Sequence, residues 1–221
     1  MSPEEVTPRR GDSLPLVPSA TTGTPAPLVL ASASPARLAT LRAAGVEPRV
    51  VVSGVDESVV EDADVSVRVV RLAVLKGRAV LQRLEPGHAW LLACDSLLDL
   101  DGEPLGKPVD AVDAVRRWQR MRGRSGVLRT GHLLVDLGTG TELTRSVATT
   151  VHFADLDDDE VEAYVATGEP LQVAGAFTVD GLGGPFVTGI EGDHHNVVGL
   201  SLPALREMLR ELGGGWCDLS A

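Results

Sequence analysis

The chain has 221 residues, 43% of them hydrophobic, and carries 20 Lys+Arg against 31 Asp+Glu for a formal net charge of −11. No run of about 18 apolar residues is present, which argues against a membrane-spanning helix, and the acidic surplus argues against a surface built for a nucleic-acid backbone. A small polyanion held by a few local cations remains compatible with this balance. Of the basic residues 18 are Arg, and the lysines are Lys76 and Lys107 alone.

Cys94 and Cys217 lie far apart without metal-ligand spacing, as expected of reduced thiols in a cytosolic protein. The segment 1–27 has no apolar core of a signal peptide; its prolines mix with Ser and Thr, and it reads as a disordered tail ahead of a single domain spanning 28–221. Aromatics make up only 3% of the chain, so the core is expected from Val, Leu and Ala. No internal repeat is visible.

Beyond the tail, strand and helix signals alternate. Leu28 to Ser32 is a short apolar run typical of a buried strand. Pro35 takes a first helical position, Leu38 and Leu41 follow at helical spacing, and Gly45 supplies the stop. A second strand is predicted over Arg49 to Ser53, and a long amphipathic helix carrying Lys76 over Val65 to Leu84. Trp90 to Cys94 reads as a buried strand delivering Asp95 at its C-terminal end. Asp101-Gly102 is the turn of a hairpin from Leu97–Leu100 to Leu105. Asp110 caps a helix reaching Met121, and two long strands, Val127 to Leu137 and Glu142 to Phe153, flank Gly138-Thr-Gly140. Asp157 caps a helix to Thr167, and Pro203 opens a last one to about Leu212. The glycine-rich stretch Leu171 to Gly199 between them reads as irregular, and such a long loop is more often functional than not. Hairpins and crossovers together predict an α/β fold with a mixed sheet and flanking helices.

Three groups of residues carry candidate chemistry. In Ser32-Ala-Ser34-Pro35-Ala36-Arg37, two hydroxyls, a guanidinium and the first turn of a helix make an anion site; simple capping by Ser34 with a solvated Arg37 is the alternative. Cys94-Asp95-Ser96 puts an acid at a strand end, where open α/β sheets bind ligands, although an Asp opening a turn fits as well. Asp56-Glu57 stands at a second strand end, and carboxylates from two such ends suit Mg²⁺ unless they are a solvated loop. In a chain that uses Arg almost everywhere, Lys76 and Lys107 suggest places where a compact ammonium is needed near phosphate oxygens. Asp99-Leu-Asp101-Gly102, with Gly192-Asp193 as a distal partner, resembles the opening of a haloacid-dehalogenase-type phosphatase, but Glu103 departs from that pattern. His194-His195 reads as a pair of surface-loop histidines, and Cys94 as a buried thiol.

Taken in order, Leu28-Val-Leu-Ala-Ser-Ala-Ser-Pro-Ala-Arg37, Gly54-Val-Asp-Glu57, Leu72-Ala-Val-Leu-Lys76, Cys94-Asp-Ser96 and Asp101-Gly-Glu-Pro-Leu-Gly-Lys-Pro108 resemble the Maf family of nucleoside triphosphate pyrophosphatases. Tyr164 to Pro170, Ala174-Gly175, Gly181-Leu-Gly183, Glu191-Gly-Asp193 and Asn196-Val-Val-Gly-Leu200 continue the resemblance, which covers residues 28 to about 212. It implies an elongated fold with two lobes around a central cleft, often dimeric, in a cytoplasmic enzyme that uses Mg²⁺ or Mn²⁺. The implied reaction cleaves a nucleoside triphosphate between its α- and β-phosphates, giving the monophosphate and pyrophosphate.

By the same resemblance Asp95 is the proton acceptor, Ser34, Arg37, Lys76 and Lys107 bind phosphate, and Glu57 with Asp95 holds the metal. Ala36, Ser96 and Asp180 fall at positions that separate subfamilies by base, and fit neither the dTTP/UTP set nor the 7-methyl-GTP set. Val173 and Phe177 also depart from the usual residues. An acidic Asp180 suggests a purine preference, because it accepts from guanine N–H groups. Two other functions stay open: a phosphomonoesterase using Asp99, and a non-catalytic role in cell division, since the family takes its name from inhibition of septum formation.

Overall fold

The computed structural model describes residues 28–85 and 87–219; the proline-rich segment 1–27, expected as a tail, lies outside them. The chain forms β1 (Leu28–Leu30), α1 (Pro35–Ala43), β2 (Arg49–Val50), α2 (Val65–Leu81), β3 (Trp90–Leu100), β4 (Glu103–Leu105), α3 (Ala111–Met121), β5 (Ser125–Asp136), β6 (Glu142–Phe153), α4 (Asp158–Ala166), β7 (Val187–Glu191), α5 (His194–Val198) and α6 (Leu202–Glu211). One seven-stranded sheet runs in the order β2-β1-β3-β5-β6-β7, with β4 also on β3. The β2-β1-β3 pairings are parallel and the others antiparallel, so the expected mixed α/β sheet is present. Among the described residues no helix is long and apolar enough to cross a membrane.

The central strand differs from its sequence reading. β3 is one strand of 11 residues, so Asp95 sits in its middle and not at its end. β5 is the reason: it pairs with β3 continuously from Trp90↔Asp136 to Asp99↔Val127 and carries the strand past the polar Asp-Ser step. On the other edge β3 pairs with β1 over Trp90–Leu92 and with β4 over Leu98–Leu100. Because β5 fills one edge throughout, β1 and β4 must share the opposite edge. Residues 93–97 are therefore left without a strand partner there, and Asp95 is the middle residue of that gap. The gap is what the fold provides in place of a strand end.

Packing follows the alternation of strand side chains. On one face Leu91, Ala93, Leu133 and Val135 meet Ala73 and Val80 of α2. On the other, Trp90, Leu92 and Cys94 meet Leu41 of α1 and Leu205, Met208 and Leu209 of α6. Beyond the gap a separate core forms around Trp118, Phe153, Tyr164 and Phe177, with Phe186 packed against it. Five of the seven aromatic residues of the chain are gathered there, so this core is not the purely aliphatic one that the composition predicts. Trp118 meets Phe153, Tyr164 and Phe186 edge-on at centroid distances of 5.6, 5.6 and 6.0 Å.

α2 lies unusually close to the sheet. A Cβ on Gly131 of β5 would fall 2.2 Å from the Val69 carbonyl oxygen, and one on Gly77 would fall 2.4 Å from Leu133 Cδ2. These two glycines let the helix axis sink onto β3 and β5, and that approach brings Lys76 over Asp95.

Candidate active site

Asp95 turns to the α2 face of the gap. Its Oδ1 accepts from Lys76 Nζ at 2.5 Å, and the same ammonium contacts Glu57 Oε1 at 2.8 Å. Lys76 and Asp95 are buried, while Glu57 is exposed on the one-turn helix Glu57–Val59. The strand expected before Glu57 ends at Val50, since β1 offers it partners only as far as Leu30. Asp56 spends its carboxylate capping the turn through Ser58 N–H, so only Glu57 of the acidic pair reaches the site. Burial pushes the Asp95 carboxyl above the ordinary aspartate value, and Glu57 adds to the rise; Lys76 and Arg37 oppose it without overcoming it. A carboxylate held this way is a stronger base than a solvated one.

Arg37 enters from the opposite face. It is buried, not solvated, and donates from Nε to Gly199 O (2.7 Å), from Nη1 to Ser32 Oγ (3.2 Å) and from Nη2 to Ser96 Oγ (3.0 Å). All three acceptors are neutral, and no described carboxylate pairs with this guanidinium. A buried cation without a counter-ion is costly and therefore favours an anion in the gap, for which two of its five N–H donors remain. Ser34 accepts from Arg37 N–H at 3.4 Å as the N-cap of α1, the simple capping that the sequence offered as an alternative. Ala36 is half-buried beside Arg37.

Lys107 is exposed, and its ammonium makes no ion pair or hydrogen bond with a described residue. Its turn is clasped by neighbours: Gly106 O accepts from Arg117 Nη1 at 2.6 Å and from Gly175 N–H at 3.0 Å. Asp180 is exposed and meets His194 Nε2 at 2.9 Å. His194 and His195 open α5 and are not loop residues. Cys94 is fully buried, with its thiol pushed up to about 12, which leaves it no nucleophilic role near neutrality. Asp99 is committed to the hairpin, accepting from Gly102 N–H at 2.8 Å and pairing with Arg129 at 3.0 Å. Both oxygens of the alternative phosphatase nucleophile are thus engaged in structural contacts.

Four residues near Arg37 escape a reading by local pattern. Thr130 and His132, buried polar residues in the middle of β5, contact Asn196 O (3.1 Å) and Ser201 N–H (3.0 Å) respectively. Asn196 and Gly199 stand in the sequence only as parts of a motif. The available signal was the placement of Thr130 and His132 at alternate, inward positions of a strand.

Among the described residues no group of three or more His, Cys, Asp or Glu side chains converges as a metal cage. Glu57 and Asp95 nonetheless both contact the Lys76 ammonium, and two neighbouring carboxylates are the hard donor set with which Mg²⁺ is usually bound when phosphate oxygens and waters complete its shell. The residues present fit such an ion.

The family model described as Maf-like protein matches residues 27–212. The chain belongs to the Maf family. Among its relatives is a protein of Salinispora tropica called nucleoside triphosphate pyrophosphatase, 59% identical over 191 residues, which are 85% of this chain and 84% of that one. Proteins of the same name in Streptomyces coelicolor and Cutibacterium acnes are 52% and 50% identical, covering 88% and 86% of this chain and 94% and 93% of theirs. The α/β fold with its flanked mixed sheet is the one expected of the family resemblance.

Proposed function

We propose that this protein hydrolyses nucleoside triphosphates to the monophosphate and pyrophosphate, in the gap along β3. The observation that carries the reading is the Lys76 ammonium shared by buried Asp95 and Glu57, across the sheet from a buried guanidinium without a counter-ion. The relatives' shared name supports it. Asp95, in its ionised form, accepts the proton of a water whose oxygen bonds to the α-phosphorus. The bond from that phosphorus to the α–β bridging oxygen breaks, and pyrophosphate leaves with the bond's electron pair. Arg37 and Lys76 offset the charge gathering on the leaving group, and Lys107 and Ser34 are proposed as further phosphate contacts. Glu57 and Asp95 would hold Mg²⁺ or Mn²⁺, which supplies Lewis-acid polarisation of a phosphoryl oxygen when bound.

Ala36, Ser96 and Asp180 are proposed to set base preference, with Asp180 accepting from the N–H edge of guanine. The protein is further proposed to be cytoplasmic and a homodimer, with a free nucleotide and no nucleic-acid polymer as its partner. A panel of canonical and modified triphosphates, assayed with Mg²⁺ and with Mn²⁺ for monophosphate and pyrophosphate, tests the whole reading. Expected are equal yields of the two products, preference for purines in competition, and loss of at least about a hundredfold in turnover for a folded Asp95→Asn variant. Release of inorganic phosphate would point instead to a phosphomonoesterase. Near-normal pyrophosphate release by Asp95→Asn would remove Asp95 from its role, and a pyrimidine preference would overturn the role given to Asp180. A cell-division effect that survives Asp95→Asn would favour the non-catalytic alternative.

A further inference from the structure

Arg37 is set by groups that it does not itself hold. Its Nε acceptor, Gly199 O, belongs to a short strap from Asn196 to Ser201, made of the end of α5 and the link into α6. Gly199 has φ +115°, and a Cβ there would lie 3.3 Å from Arg37 Nε and 3.5 Å from Ser96 Oγ, so the strap passes directly against both. Two buried side chains of β5 at alternate positions fasten its ends. Thr130 Oγ1 donates to Asn196 O at 3.1 Å, and His132 Nε2 accepts from Ser201 N–H at 3.0 Å. Burial lowers His132 to about 4, which keeps that lone pair free. The Asn196 side-chain amide adds contacts to Leu128 O (3.2 Å), Val147 O (3.3 Å) and Thr149 Oγ1 (3.1 Å). The other guanidinium acceptor is tied to the same anchor. With the Thr130 proton on Asn196 O, the 2.9 Å contact between Ser96 Oγ and Thr130 Oγ1 has Ser96 as donor, and Ser96 is left to accept from Arg37 Nη2.

We infer that Thr130 and His132 are positioning residues for phosphate binding, fixing the Asn196–Ser201 strap and the Ser96 hydroxyl so that Arg37 presents its free N–H donors to the substrate. The inference rests on Arg37 being a phosphate anchor, as proposed above. Ser96, its proton committed to Thr130, offers the substrate a lone pair and no donor.

The test is binding of inorganic pyrophosphate by calorimetry, with KM and kcat for the best triphosphate alongside. Thr130→Val is expected to raise the pyrophosphate Kd and the KM about tenfold with little change in kcat, as the loss of a group that orients a charged donor. Thr130→Ser, which keeps the hydroxyl, restores both. In an Arg37→Met background, itself weakened, Thr130→Val adds nothing, because its effect passes through Arg37. Should Thr130→Val fail to fold, Ser96→Ala breaks the same chain at a half-buried position and is expected to raise Kd likewise. Wild-type affinity in Thr130→Val, or in Ser96→Ala, overturns the inference, and so does an equal loss in both backgrounds. Wild-type affinity in Arg37→Met overturns the phosphate role of Arg37 and this inference with it, whereas a loss there with none in Thr130→Val overturns the inference alone.

Discussion

At the scale of single residues, the site is a balance of charge and burial around Asp95. Lys76 carries two carboxylates on one nitrogen, at 2.5 and 2.8 Å, which the three donors of a compact ammonium allow. Asp95 lies above its ordinary pKa because burial outweighs the cations, and Lys76 is the strongest of the influences that lower it. The protonated carboxyl cannot take up the proton of the attacking water, so kcat/KM is expected to fall along an acid limb as pH drops through the Asp95 value. Replacing Lys76 by Met removes a lowering influence and should move the limb of the residual activity to higher pH. The pH–rate profiles of the two proteins, with folding followed by fluorescence at each pH, check this. A limb that stays in place or moves down would detach Asp95 from the profile.

At the scale of elements, the close seat of α2 is what brings Lys76 to Asp95. The alanine of a Gly131→Ala variant would place its Cβ 2.2 Å from Val69 O and 2.3 Å from Val69 C, both backbone atoms that no rotamer change can move aside. The helix must lift, and a loss of about 3 kcal/mol or more is expected. Gly189→Ala on β7 meets only His152 Cδ2 at 3.4 Å and should cost well under that. Urea midpoints of the two variants measure the difference; equal midpoints would show that α2 is not held by this contact. α1, α3, α4 and β6 announce themselves through caps and periodicity; Asp110 and Asp157 cap the helices they were expected to cap, and Ser34 caps α1, which was the alternative to its role in an anion site. β3 was read as two pieces because Asp95-Ser96 interrupts its apolar run, and only pairing with β5, some 30 residues away in sequence, shows it to be one. β7 and α5 have five residues each, too few for a period to emerge, and β7 exists by pairing with β6. Of the site, Asp95, Lys76, Glu57 and Arg37 were legible through ordered motifs. The strap was visible only as a motif without a role, and its anchors Thr130 and His132 were not legible, because a buried Thr or His in a strand has no local signature until the chain that caps it is known.

At the scale of the whole molecule, the polar groups that set the site also enter the stability of the fold. His132 is fully buried, with Nε2 bonded to Ser201 N–H and Nδ1 without a partner, and its pKa falls from 6.5 to about 4, chiefly by burial with Arg37 adding to the shift. In the unfolded chain the imidazole takes up its proton near its ordinary value, so below it the unfolded state binds more protons than the folded one. Stability is then complete above about pH 6.5 and is lost as pH falls towards the folded value, by roughly 2 kcal/mol between pH 6.5 and 5. Asp95 acts with the opposite sign. Its raised pKa lets the folded state take up its proton first, so acid relieves a cost there and cannot produce this loss. Carboxylates with lowered values, such as Asp113 and Glu169, lose their contribution only once pH approaches the ordinary carboxylate range. The loss between pH 6.5 and 5 is therefore assigned to His132 and is read as the difference between the wild type and a His132 variant. Urea unfolding at several pH values across it should show the slope in the wild type, and His132→Gln, whose amide oxygen can still accept from Ser201 N–H, should flatten it. A slope that persists undiminished in that variant would place the acid sensitivity elsewhere. A flattened slope with phosphate affinity retained would show that the acceptor on Ser201, and not the imidazole as such, is what the strap requires.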